Sequence, residues 1–361
     1  MKRKRIIIIG SGLTGLTINY LIKKNELLSK NLSVTILEGR SRMGGRILTL
    51  EKTEKNQTLE MGATWFGIKH NRFLNLLDEL KLDYFEQLIG YNAHYEPLST
   101  SPPYLVNLPP NPEPSMRLQG GTASVIEKLS IYLQEGELKL SEKVKSIHKN
   151  SQGSTTVTTD TTKYEADIVI STLSPYLFYK SIFVEPNLPQ ALTNTAKLTH
   201  TWMGDSIKIA LVFKEPFWRK DNGSGTIFSN VGPIPEMYDH CNFEDDFYAL
   251  KGFFNGSYYS LTKEERLSKV LTQLEKYFGE EVNQYLFYEE AIWRNESLTF
   301  VPYEAHITPH QNNGHKVFQS AYLNNSLYLS GTETATQYSG YMEGAVRSAE
   351  FIYKQLLEQK L

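Results

Sequence analysis

Gly10, Gly12 and Gly15 stand at GxGxxG spacing, directly after the apolar run Ile6 to Ile9 and directly before a helical pattern from Leu13 to Lys24. The first glycine permits a tight turn, the second lets a phosphate approach the backbone, and the third lets helix and strand pack closely. Leu13 and Thr14 open that helix, whose free N–H groups and positive dipole end favour a pyrophosphate. Glu38 ends the next apolar run, where an acid can hold both hydroxyls of an adenosine ribose. The alternative for Glu38 is a solvated strand end, but the strand–turn–helix context favours dinucleotide binding. Arg40, Arg42, Gly44, Gly45 and Arg46 follow at once. Paired glycines expose backbone donors, and the bracketing arginines suit a diphosphate or a ribose edge; a basic surface turn is the plainer reading.

Two further stretches carry chemistry. Lys208 lies inside the apolar run "SIKIALVF". Burying its charge is costly, and desolvation lowers a lysine pKa, unless the residue snorkels from a sheet edge. Near the C-terminus, "GTETATQYSGYMEGAV" follows the short apolar run "LYLS". Gly331, Thr332 and Glu333 offer groups for a polar chain, and Gly340, Tyr341 and Met342 begin a helix. Such an N-terminus favours negative charge on a ring held in front of it; the plainer reading is a turn with Tyr341 in the core.

The totals narrow the class. A formal charge of -2 over 361 residues argues against a nucleic-acid binder driven by a basic surface. One cysteine, Cys241, excludes an internal disulfide framework and fits a cytoplasmic setting. The basic start and Ile6–Ile9 run are too short for a signal peptide, and no stretch approaches a membrane span. No metal site is expected.

These residues need elements to hold them. Ile6–Ile9, the helix Leu13–Lys24 and the strand Ser33–Glu38 read as a βαβ unit, so an α/β fold with a parallel sheet is expected. Residues Asn71–Leu82 read as a helix, and another follows Gly121. "TTVTTDTTKYEADIVIST" reads as a strand pair followed by a buried strand ending at Ser171. Ser206–Phe213 reads as a strand. Thr262–Phe278 reads as an amphipathic helix with a Thr262/Glu265 capping box, and Ala345–Leu357 as the last helix. Seven of the 15 prolines fall between Pro97 and Pro114. That density excludes a central strand or helix interior and suggests an extended crossing between domains.

"GDSIKIALVFKEPFWRK", "LTKEERL" and "GTETATQYSGYMEGAV" resemble the flavin monoamine oxidases, and the resemblance runs in order along most of the chain. It implies FAD in a Rossmann-like domain of separated segments, 1–84, 115–189 and 296–361. A substrate domain on an antiparallel or mixed sheet would take 85–114 and 190–295. By resemblance Glu38, Arg40, Gly45, Arg46, Gly62, Ala63, Thr64, Trp65, Val144, Trp293, Thr332 and Glu333 lie by FAD. Ser171, Gly331, Gly340, Tyr341 and Met342 join the cofactor contacts. Lys208 matches a lysine that holds a water near flavin N5. Tyr341 matches one wall of an aromatic cage, with Tyr303 chosen as the other and Phe300 as fallback.

The region matching the family's flavin-bonded cysteine, "LTFVPYEAHI", has none, which is why the flavin is expected to be untethered. The segment before "GGTASVIEKL" is shorter than in the family, so part of the substrate cap is expected to be missing, and no anchoring tail is seen. The implied activity is oxidation of a small amine to an imine, with dioxygen reduced to hydrogen peroxide. A related desaturase or dehydrogenase with another acceptor, or a catalytically weak FAD-binding scaffold, are the alternatives. Arg294 is the one candidate noticed for a substrate carboxylate. The oligomeric state is left open, a homodimer included.

Overall fold

The computed structural model describes residues 3–51, 57–87 and 90–359. Five strands form a parallel sheet in the order Leu138–Lys139, Leu32–Leu37, Lys4–Ile9, Ile168–Ser171 and Leu327–Leu329. The run Ile6–Ile9 is apolar throughout because the central strand is covered on both faces. Ile6 and Ile8 pack with Leu16, Ile18, Val346 and Ala349, from the helices Leu13–Lys24 and Met342–Glu358. Ile7 and Ile9 pack on the other side with Ile147, Val157 and Phe178. That side is a four-stranded sheet, Lys163–Ala166, Thr155–Thr159, Val144–Lys149 and Phe183–Glu185. Each fully buried isoleucine contributes roughly 1.5–3 kcal/mol of transfer free energy, which anchors the turn at Gly10.

The expected βαβ start and the strand pair leading into Ile168–Ser171 are both present. The last helix runs from Met342 to Glu358 with Tyr341 as its N-cap residue, a start at the Gly340–Met342 turn and three residues before Ala345. Its Glu343 is fully buried and accepts from the N–H groups of Arg72 (3.3 Å) and Phe73 (2.7 Å). A carboxylate therefore satisfies free donors in the first turn of the helix Asn71–Leu80 and locks the two helices together.

A second large sheet has seven strands, in the order Phe287–Ile292, Ile207–Phe213, Tyr248–Phe254, Glu236–Asp239, Gly223–Ser229, Asn92–Glu96 and Tyr104–Asn107. Ile207–Phe213 is paired on both sides and buried at every residue, so Lys208 does not snorkel from an edge. The helix Lys263–Phe278 packs behind this sheet through Val270, Leu274 and Tyr277. Its capping box is formed in both directions, Glu265 N–H to Thr262 Oγ1 at 3.2 Å and Thr262 N–H to Glu265 Oε2 at 2.8 Å.

The proline-rich segment is not the plain crossing that was expected. Tyr104–Asn107 folds back antiparallel on Asn92–Glu96 and forms the edge of the seven-stranded sheet. Pro102, Pro103, Pro109 and Pro110 flank it and keep it short, and their missing N–H groups suit an edge position.

Candidate active site

A cavity of about 670 Å³ lies where the parallel sheet meets the seven-stranded sheet. At one end it touches Gly10, Gly12, Leu13 and Thr14, the turn and first residues of the helix Leu13–Lys24. Gly10 has φ +103°, a conformation side chains rarely adopt. A methyl group on Gly15 would stand 2.1 Å from the Gly10 carbonyl oxygen, so the helix rests directly on the turn. Gly15 is thus a packing residue behind the wall. Nothing stands nearer than 3.7 Å to the Cβ position of Gly12, and the helix has no side-chain cap there. The open Cβ position of Gly12 leaves room for a pyrophosphate to approach the backbone.

Glu38 is 4 % exposed and on the wall. One carboxylate oxygen accepts from Ser11 N (2.9 Å) and Ser11 Oγ (3.0 Å), the other from Arg40 N (2.9 Å). The carboxylate is thereby fixed, with acceptor capacity left on the oxygen that takes one bond. Gly45, Val144 and Arg40 also line this end. Arg46 reaches the wall while its guanidinium is held by Glu333, Nη1 to Oε1 at 2.5 Å and Nη2 to Oε2 at 2.9 Å. Burial opposes the Arg46 charge, but Glu333 outweighs it and the Arg46 pKa is raised. Glu333 itself is fully buried behind the wall. Ser171 and Gly331 also lie behind it; the neighbours that reach the cavity are Thr172 and Thr332.

The other end is aromatic and basic. Gly62, Ala63, Thr64 and Trp65 form one wall, with Trp293 nearby, whose indole N–H donates to the Met61 carbonyl at 2.8 Å. Lys208 is 6 % exposed, and its Nζ donates to the Gly62 carbonyl while lying 5.2 Å from the Phe253 ring and 5.9 Å from the Trp65 ring. Burial pushes its pKa down to about 8, against the upward pull of Glu60 and Glu236. Tyr341 and Met342 lie on the wall with Gly340. Tyr341 is 42 % exposed, so it is no core residue.

The aromatic side chain across from Tyr341 is Trp202. The ring centroids are 6.2 Å apart with 39° between planes, and His310 stacks on Trp202 at 4.0 Å while its ring lies 6.5 Å from that of Tyr341. Tyr303 is off the cavity wall: its hydroxyl accepts from Thr201 N at 2.9 Å, and its ring packs edge-on against Tyr176 and Phe300. Phe300 is buried and also off the wall. The expected pairing of Tyr341 with Tyr303 or Phe300 is therefore replaced by Trp202, because Tyr303 is spent fixing the backbone that carries Trp202. Arg294 stacks over Tyr259 at 4.3 Å and is also off the wall. The chain's single thiol, Cys241, is buried with its pKa pushed up and does not line the cavity, so it cannot tether a cofactor there.

The model of the flavin containing amine oxidoreductases matches the chain over residues 25–101 and 84–351. The chain belongs to that family. It is similar to the human flavin-containing amine oxidase B, with 25 % identity over 458 aligned positions that take in 98 % of this chain and 86 % of that protein. It is 31 % identical over 247 residues to the dog amine oxidase B, covering 66 % of this chain and 46 % of that one. The chain thus spans about half the length of that relative in the matched region. In fold it is similar to a putrescine oxidase solved with putrescine bound, at TM-score 0.82 and 21 % identity, covering 99 % of each chain. A cyclohexylamine oxidase from Brevibacterium oxydans gives TM-score 0.83 at 17 % identity, again over 99 % of each.

FAD is the cofactor of flavin containing amine oxidoreductases, and the residues present fit it. The turn and helix N-terminus suit the pyrophosphate, Glu38 the adenosine ribose, and the Gly62–Trp65 wall with Lys208 the ring. Two residues on the cavity wall of this oxidoreductase, Trp202 and Glu236, were not read from its sequence, nor was Lys251, which is buried behind that wall. Glu236 lies on the cavity wall with Phe228 and Tyr238, and its carboxylate accepts from the Tyr238 hydroxyl at 2.6 Å. Lys251 gives the signal used for Lys208, a lysine inside the apolar strand "YALKGFF". Among the described residues no helix is long and apolar enough to cross a membrane.

Proposed function

We propose that this oxidoreductase oxidises an amine that carries a second cationic group, and that dioxygen takes the electrons. The observation that carries the reading is one continuous cavity with the GxGxxG turn at one end and Lys208, Trp65, Trp202 and Tyr341 at the other. When bound, noncovalent FAD supplies the hydride acceptor for the amine's α-carbon and the route to dioxygen. The balance is amine plus dioxygen plus water giving aldehyde, ammonia and hydrogen peroxide, the imine hydrolysing after it forms.

The protein's own part is placement and charge. Trp202 and Tyr341 offer π faces that admit an amine and exclude bulky polar competitors. Desolvation between them favours the neutral amine, the form that gives up hydride. No strong protein base is then required. Lys208, with a pKa of about 8, sits where a basic nitrogen can hold a water or a proton beside the ring.

The substrate class rests on Glu236. The Glu236 carboxylate, fixed by Tyr238 and sharing its sheet face with Lys208, is a counter-charge for a second ammonium. The putrescine bound by the structural neighbour has that shape. The two-domain division supports the same picture. All strands of the parallel sheet fall in 1–84, 115–189 and 296–361, and all strands of the seven-stranded sheet fall in 85–114 and 190–295.

Peroxide release from paired α,ω-diamines and monoamines of equal length tests this. The diamine is expected to win in kcat/KM, and Glu236→Gln to erase that preference, by on the order of tenfold or more for a lost charged hydrogen bond. Monoamine preference with Glu236→Gln silent contradicts the substrate class. Amine-dependent bleaching without peroxide contradicts the acceptor.

A further inference from the structure

Lys208 and Lys251 lie on adjacent antiparallel strands, with Lys208 opposite Phe253 and Ala210 opposite Lys251. Side chains alternate along a strand, so both lysines leave the same face, toward Thr64 and Trp65. Lys251 is 1 % exposed and does not reach the cavity; Lys208 does. The Lys251 Nζ donates to Thr64 Oγ1, and Thr64 Oγ1 donates to the Gly62 carbonyl at 3.1 Å. The same carbonyl accepts from Lys208 Nζ. The Lys251 Nζ also stands 4.5 Å over the Trp65 ring.

A core position need not hold an amine to fill space. Methionine has nearly the same length and no desolvation cost. Holding a lysine here is expensive, since burial drives its pKa well down with Lys208 and Arg117 opposing its charge and Glu60 alone supporting it. His240 packs on Arg117 at 3.5 Å, and Glu60 is engaged by Thr49 Oγ1 (3.0 Å) and Thr122 N (2.7 Å). Lys251 also offsets the buried Glu60 charge, but Glu60 takes its hydrogen bonds from Thr49 and Thr122, whereas the Lys251 Nζ donates to Thr64.

We propose that Lys251 is a positioning residue for amine oxidation: through Thr64 and the carbonyl of Gly62 it fixes the Gly62–Trp65 wall and the anchor of Lys208. Lys208 is the group at the reacting end, and Lys251 acts behind it. The wall borders the cavity through Thr64 and Trp65, so a displaced wall misplaces the ring and the amine against each other, which costs rate more than binding. This rests on the amine-oxidase reading for its kinetic readout, and its second readout does not need turnover.

Two substitutions break the chain from opposite ends, Lys251→Met and Thr64→Val. Each is expected to lower kcat on the order of tenfold with KM within about twofold, and the double variant to fall no further than the worse single one. In the flavin-free protein, amide exchange over residues 61–66 is expected to accelerate in both variants, with exchange in the central parallel sheet unchanged. Multiplicative kcat losses overturn the link through Thr64. Unchanged exchange at 61–66, or Thr64→Val with native kcat, overturns the role itself. If Lys251→Met does not fold, Lys251→Leu takes its place in the same comparison. Localised exchange gains in a protein that oxidises no amine would leave the positioning role standing and remove the substrate reading.

Discussion

Replacing Lys208 by methionine is expected to stabilise this protein while crippling it. In the unfolded chain this lysine titrates at 10.5, and in the fold at about 8, chiefly because burial penalises its charge. That gap corresponds to about 3 kcal/mol at about 1.36 kcal/mol per pH unit. The sign follows from linkage. Below pH 8 both states are protonated and the fold bears the full cost. Between pH 8 and 10.5 the folded lysine is neutral while the unfolded one still binds a proton, so stability climbs with pH. Above 10.5 the cost is gone. Methionine removes the charge but also the bond to the Gly62 carbonyl, a loss of about 1 kcal/mol. The net gain at pH 7 is about 2 kcal/mol, vanishing or reversing above pH 10.5. Urea unfolding of flavin-free wild type and Lys208→Met at pH 7 and pH 10.5 measures it. A variant less stable at pH 7, or a difference that does not change with pH, refutes the reasoning. Rapid mixing of the reduced holoenzyme with dioxygen is expected to show slowed reoxidation in the same variant, the usual exchange of stability for function.

Other consequences are simpler. Gly15→Ala would press a methyl against the Gly10 carbonyl, so about 1–3 kcal/mol of stability and most of the FAD affinity should be lost, as thermal melts and flavin titration would report. Thr262→Ala removes the reciprocal cap of Lys263–Phe278 and should cost about 1 kcal/mol in urea unfolding without changing KM. Trp202→Ala should raise KM for amines on the order of tenfold and Tyr303→Phe far less, a comparison that separates the wall residue from the one behind it.

The sequence made local rules visible and left spatial ones hidden. The GxGxxG turn, the Glu38 strand end and the Thr262 capping box each depend on residues close in the chain, and each is present as expected. Lys208 was legible because a lysine in an apolar strand demands an explanation. Lys251 makes the same demand, and its importance emerges only from the pairing that brings it to Thr64. Tyr303 and Trp202 are separated by a choice of side that no spacing records: one ring turns toward Tyr176, the other toward the cavity. Glu236 looks like any strand-end acid until the sheet turns it inward. Proline chemistry correctly excluded a central strand at Tyr104–Asn107, but edge pairing needs no N–H on the outer side, so a strand formed there after all.

Anaerobic titration of purified holoenzyme with an α,ω-diamine, followed by flavin absorbance, is the most direct measurement. A yellow protein whose visible band bleaches with diamine and returns with air, releasing peroxide, is the expected result. A protein that stays colourless in excess FAD, or a yellow one that no amine bleaches, contradicts the account.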